Sequence, residues 1–259
     1  MQWILQEFED TENLAGVLSS LNLPFSMHKV IPFVGDLEPR PVIADPLRTV
    51  VFGAYSLWRF SERHGLHPGV FRIAPFIDQP FWSPYLLNGR DALRMTLAEV
   101  TEALPDNEDG WFMRPVDDSK AEPGRVRSAS EIREIARRVG GLREDEVPIG
   151  SLRSDTELMF AQPVNIRREW RLWVVRGQMV TYSLYRDGRT VTYRRDIDAD
   201  ALAFGQHMVE LHPDYAPAYV IDICRTNEGL RILETNCMNA AGFYEADLTA
   251  LVGAIEALD

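Results

Sequence analysis

Ala218-Tyr-Val-Ile-Asp-Ile-Cys-Arg-Thr-Asn-Glu-Gly-Leu-Arg-Ile-Leu-Glu-Thr-Asn236 is the stretch around which the rest of the chain is organised. Two apolar runs flank Asn227-Glu228-Gly229, which reads as a three-residue loop with glycine at the left-handed position after a type I turn. A hairpin folded about Glu228 sets Asp222 opposite Glu234, and Asn236, two residues on, shares their face. Carboxylates facing each other at about 5 Å repel and weaken a sheet. A divalent cation between them reverses that sign, and two carboxylates with an amide oxygen are a donor set that Mg²⁺ accepts. The competing reading is the exposed polar face of an edge hairpin. On either reading the opposite face, with Ile221, Ile223 and Leu233, is apolar enough to be core.

The 259 residues are enough for one large domain or two small ones. The hydrophobic share of 46% and charged share of 25% are those of a soluble globular protein. A net charge of −12 argues against a general nucleic-acid or anionic-membrane binder, because phosphates would be repelled. Cys224 and Cys237 fit neither a metal spacing nor a disulfide framework. The N-terminal residues lack a basic, then apolar, leader pattern, and no apolar run is long enough to span a bilayer, so a cytoplasmic location is expected. Of 27 basic residues only Lys29 and Lys120 are lysines. The sequence does not set an oligomeric state.

Residues 1–90 read as a small α/β unit: a strand from Trp3 to Phe8, a helix carrying Leu14, Val17 and Leu18, a strand from Phe25 to Phe33, then Thr49–Gly53 and a helix from Tyr55 to Arg63. The spacing of Leu93, Leu97 and Val100 predicts a helix over Asp91–Leu104. From Gly110 onward short strands dominate. Trp111–Arg114, Leu158–Val164, Glu169–Val175, Gln178–Tyr185 and Thr190–Tyr193 read as strands, with helices from a Ser128/Glu131 capping box, over Leu202–Leu211 and over Ala246–Leu258. That alternation is an α+β pattern.

Four places carry the chemistry. Arg114 ends a strand and Lys120 follows it in a polar loop. Glu169 and Arg171 alternate with the apolar Trp170, Leu172 and Val174, and the carboxylate hairpin completes the set. Cations from two elements beside an acidic, Mg²⁺-type face are the parts of a nucleoside triphosphate site. No glycine-rich phosphate loop or kinase signature is present, so side chains would have to hold the phosphates.

The order and wording of Phe112-Met-Arg-Pro-Val-Asp-Asp-Ser-Lys120, Glu169-Trp-Arg-Leu-Trp-Val-Val175, Val220-Ile-Asp222, Leu233-Glu-Thr-Asn236 and Gly242-Phe-Tyr244 resemble the ATP-grasp superfamily, in the clade with arginine at the usual phosphate-binding lysine. The resemblance implies an ATP-grasp fold over 91–259, two α+β subdomains clasping ATP, preceded by a pre-ATP-grasp domain over 1–90. It implies that Arg114 and Lys120 contact phosphates, that Gln162 and Val164 lie in the adenine-binding hinge, and that Asp222, Glu234 and Asn236 hold Mg²⁺. Arg171 would then neutralise the transferring phosphate, and Asn239 would begin the wall of the acceptor site. Pro163 departs from the usual hinge and has no N–H to offer adenine. The implied activity is ATP-dependent carboxylate–amine ligation through an acyl-phosphate. A phosphotransferase on the same scaffold, or a non-catalytic ATP-binding module, are the rival readings.

Overall fold

A computed structural model of the chain describes every residue except 32–34, 90, 118–120, 149 and 259. The first elements are β1 (Gln2–Gln6), α1 (Glu9–Ser20), β2 (Phe25–Val30), β3 (Leu37–Glu38), β4 (Thr49–Phe52), α2 (Ser56–Arg63) and β5 (Pro68–Gly69). Next come β6 (Leu93–Thr96), α3 (Val100–Ala103), β7 (Trp111–Pro115), β8 (Arg125–Arg127), α4 (Ala129–Gly140) and β9 (Glu157–Ala161). The chain continues with β10 (Arg168–Val175), β11 (Gln178–Asp187), β12 (Thr190–Arg194), α5 (Ala199–Leu211), β13 (Ala218–Thr226), β14 (Gly229–Asn236) and α6 (Leu248–Glu256). Phe33, the expected end of the second strand, and Lys120 lie outside the described residues.

The elements pack as two units, Met1–Ile73 with Arg167–Asp259, and Ala74–Ile166. The division expected at residue 90 follows sequence resemblance; packing instead joins the N-terminal α/β segment to the C-terminal part of the chain.

In the first unit one sheet has the order β3-β2-β1-β4-β5, with β1 parallel to both neighbours. β4 is buried at all four positions, the pattern of a parallel strand covered on both faces. The second sheet, β12-β11-β10-β13-β14, is antiparallel throughout. One of its faces is apolar along its length and lies under α5, where a Cβ on Gly205 would sit 2.5 Å from Leu172 Cδ1. The other face changes character along the strands. Trp173, Val175, Ala218 and Val220 join Trp3, Leu5 and Phe52 of the first sheet and Leu251 and Ile255 of α6 in one core. The Trp3 and Phe52 rings stack at 5.4 Å, and each such burial contributes about 2–3 kcal/mol. Two residues further along, the same face carries Arg171 and Asp222, so the polar site begins where this core ends.

In the second unit, β6-β9-β7-β8 form an antiparallel sheet covered by α4, whose Ile132, Ile135 and Ala136 pack with Met113, Leu158 and Phe160. The expected capping box opens α4: Ser128 Oγ accepts from the Glu131 N–H, and Glu131 Oε2 accepts from the Ser128 N–H at 2.8 Å. The helix expected over Asp91–Leu104 is instead the strand β6 and the single turn α3. Leu93 and Met95 pack inward while Arg94 points out to Glu157 and Asp78, a period of two that the 93/97/100 spacing concealed. Among the described residues no helix is long and apolar enough to cross a membrane.

Candidate functional site

Asp222 pairs with Glu234, as the hairpin geometry predicts, but the turn is shorter than expected. Thr226 pairs with Gly229, leaving Asn227-Glu228 as a two-residue connection. From the turn to Ile223–Ile232 the ladder keeps one register; between Ile223 and Asp222 it shifts, and Leu233 is the extra residue. That β-bulge turns Glu234 onto the face of Asp222; an unbroken ladder would have set Leu233 there. It also hands the core position to Ile232, fully buried opposite Ile223, in place of the expected Leu233.

The bulge completes a row of side chains running across four strands: Ser183 on β11, Arg171 on β10, Asp222 on β13 and Glu234 on β14. Arg171 forks onto Asp222, Nε to Oδ1 at 2.9 Å and Nη2 to Oδ2 at 2.7 Å, and both side chains are buried. Asn236 Nδ2 reaches Asp222 Oδ2 at 3.2 Å and Glu234 Oε1 at 3.1 Å, so three of the expected metal ligands converge. Burial works against a charge on Arg171, but the Asp222 carboxylate outweighs it and moves its pKa above the ordinary arginine value.

Arg171 is enclosed by aromatic rings, with its guanidinium carbon 4.7 Å from the Tyr244 ring centre and 5.6 Å from that of Tyr185. Tyr193 stacks on Tyr244 at 4.7 Å. Burial raises the Tyr185 hydroxyl well above its usual pKa, and the charges of Asp222 and Glu169 add to this. Tyr185 owes its place to a second bulge, being the extra residue between the pairs Glu169–Arg186 and Trp170–Leu184. Tyr244 and Glu245 both hold left-handed backbone, φ 49° and 70°, an arrangement that costs of order 1–3 kcal/mol per residue and gathers at functional sites. The Ser183 hydroxyl donates to the Tyr244 carbonyl and Arg171 Nη1 to that of Gly242 at 3.2 Å, which ties this loop to the sheet. Asp10, at the start of α1, comes within 3.2 Å of where a Gly242 Cβ would lie. Burial raises its pKa, Glu9 adds to that, and Arg171 opposes it.

Asn239, expected to begin an acceptor wall, has its amide committed to backbone. Its Nδ2 donates to Val51 O at 2.7 Å and Gly69 O at 3.3 Å, and its Oδ1 accepts from the Phe71 N–H at 2.8 Å. The remaining expected residues belong to the second unit. Arg114 is buried on β7, with Nε donating to Pro115 O at 3.2 Å and its guanidinium 5.1 Å from the Phe76 ring centre. β9 ends at Ala161, so Gln162 and Val164 lie beyond the strand; Gln162 Oε1 accepts from Asn107 Nδ2 at 3.0 Å and Val164 is exposed. The sequence reading passed over Ser183, Tyr185 and Asp10. The two β11 residues align with Arg171 only once the register is known, and Asp10 resembled an ordinary helix cap.

Among the described residues no cluster of three or more histidine, cysteine or carboxylate side chains is placed to hold a metal. The Asp222–Glu234–Asn236 set has two carboxylates and an amide. It fits a hard, oxygen-seeking cation once the Asn236 amide turns its oxygen inward.

Two solved structures share this architecture. The D-alanyl-alanine synthetase A from Vibrio cholerae superposes with a TM-score of 0.55 at 12% identity, over 98% of this chain and 93% of that one. The ATP-grasp ligase PsnB complexed with minimal precursor gives 0.54 at 14% identity, over 98% and 97%. At such identities the likeness defines the fold, which is α+β and ATP-grasp. Within it the chain belongs to family 3 of the ATP-grasp clade that carries arginine at the usual phosphate-binding lysine, whose domain pattern matches residues 40–255. No curated protein matches the chain by sequence.

Proposed function

We propose that the chain is an ATP- and Mg²⁺-dependent ligase that joins a carboxylate to an amine. The observation that carries this reading is the convergence of Asp222, Glu234 and Asn236 beside the buried Arg171, in a chain of the ATP-grasp family. Asp222, Glu234 and Asn236 would hold the divalent cation, whose charge offsets that of the triphosphate. Arg114 and Lys120 are the proposed phosphate contacts, and the backbone around Gln162 and Val164 the proposed adenine contact.

In the proposed reaction a carboxylate oxygen takes the γ-phosphoryl group of ATP and ADP leaves. The amine nitrogen then attacks the acyl carbon, the C–O bond to phosphate breaks, and the amine gives up a proton. Neither step needs an enzyme nucleophile; both need alignment, charge neutralisation and exclusion of water. Arg171 fixes the Asp222 carboxylate and brings positive charge to the site. Tyr185 and Tyr244 hold the guanidinium in place. The reading sets the protein to act on an amino acid, peptide or protein carboxylate.

The test follows ADP and phosphate while carboxylates and amines are supplied singly and together with Mg·ATP. Ligation requires that both products appear only when both substrates are present. A phosphorylated carboxylate as the final product overturns the reading in favour of a phosphotransferase. ATP left unconsumed under every pairing, with no rise of Tm in Mg·ATP, favours a non-catalytic module.

A further inference from the structure

A second cavity lies in the first unit, lined by Arg48, His67, Val70, Phe71, Arg72 and Arg176 among others, with a volume of about 720 Å³. That size suits a small organic ligand. Among the described residues its lining includes no carboxylate, although the chain as a whole carries a net charge of −12. Arg72 is paired with Glu62 and lies over Trp58. Arg48 and Arg176 pair with no carboxylate among the described residues, whereas most of the arginines forming the site and the surrounding surface do.

Arg176 is held there against local preference. It occupies the first position of the two-residue turn between β10 and β11 with φ 49°, followed by Gly177 at 64°. Such turns favour asparagine, aspartate or glycine at that place, so an arginine keeps its charge at the cavity at a conformational cost. The floor beneath the cations is apolar, and it is fixed: the Phe71 N–H is held by the buried Asn239 side chain. Five strand residues, roughly 16 Å, separate Arg176 from Arg171 along the chain.

We propose that this cavity binds a small organic anion, its carboxylate or phosphate held by Arg48, Arg72 and Arg176 and its apolar body by Val70 and Phe71. Guanidinium forks match both kinds of headgroup, and an apolar floor selects for an aryl or alkyl body over a bare ion. The proposal stands independently of the ligase reading.

Calorimetric titration with phenyl phosphate, benzoate and inorganic phosphate tests it at low salt. Phenyl phosphate or benzoate is expected to bind, whichever binds more tightly identifying the headgroup, and inorganic phosphate about tenfold more weakly or worse. The double variant Arg48→Ser/Arg176→Asn should weaken the organic anion by about tenfold or more while keeping or raising Tm, since asparagine suits the left-handed turn. Saturating Mg·ATP should leave the titration unchanged. No binding by either organic probe at millimolar concentration, undiminished binding in the double variant, or displacement by Mg·ATP would each overturn the proposal.

Discussion

Arg171 grips Asp222 with both arms of its guanidinium, at 2.9 and 2.7 Å, in a place where neither side chain is appreciably exposed. A buried pair of this kind is strongly destabilising to break from one side, because the other charge is then stranded. Arg171→Leu and Asp222→Leu should each lower the unfolding free energy by about 3–5 kcal/mol, and the double variant by less than the sum of the two. Arg171→Lys should fall between, keeping the charge but losing the fork. Urea unfolding of the four proteins measures the coupling; strict additivity would show that the pair does not act as a unit.

Glu234 stands outside that fork, which makes it the cleaner probe of cation binding. Glu234→Gln should fold with nearly unchanged Tm in buffer and lose most of the Tm increase that Mg·ATP gives the native protein. An increase equal to the native one would remove Glu234 from the cation site.

Asn239 answers three backbone groups with one side chain, at 2.7, 3.3 and 2.8 Å. Asn239→Ala leaves buried donors and acceptors without partners, each omission costing about 1–3 kcal/mol. The variant should lose about 2–4 kcal/mol in urea unfolding at an unchanged m-value, with ligand affinity at Asp222–Glu234 retained in whatever fraction remains folded.

Cys224 is buried, and burial followed by the neighbouring Glu169 charge pushes its thiol up from an ordinary 9.0 to about 12. The folded state therefore holds this proton more tightly than the unfolded chain does. Its contribution to stability is complete below the unfolded pKa and is lost as pH climbs from about 9 to 12. Iodoacetamide labelling of Cys224 at pH 8, mapped by mass spectrometry, should be slow and should rise only with the unfolded fraction. Rapid labelling of the folded protein would contradict this burial.

Local patterns carried much of this architecture into the sequence. The alternation Glu169-Trp-Arg-Leu marked a strand with one charged and one apolar face, and Ser128 with Glu131 marked a helix start; both are present. The facing of Asp222 and Glu234 was also legible, although through a three-residue loop where the protein uses a two-residue turn and a bulge that reach the same pairing. What escaped depends on partners distant in sequence. Leu93–Thr96 is a strand because β9 supplies its ladder, which no spacing within the segment records. Asn239 is a clamp because Val51, Gly69 and Phe71 come to it, and Asp10 enters the site by the fold of the first helix.

Leu233 divides the β13–β14 hairpin into two ladders of different register, one holding Asp222, Ile221 and Val220 and the other running out to the turn. A bulge of this kind acts as an expansion joint. If the tip at Asn227-Glu228 changes length, the misfit meets a break in the ladder before it reaches the carboxylates. The tip can then drift in length and composition from one relative to the next, or accept a grafted sequence, while the geometry at Asp222 and Glu234 stays fixed.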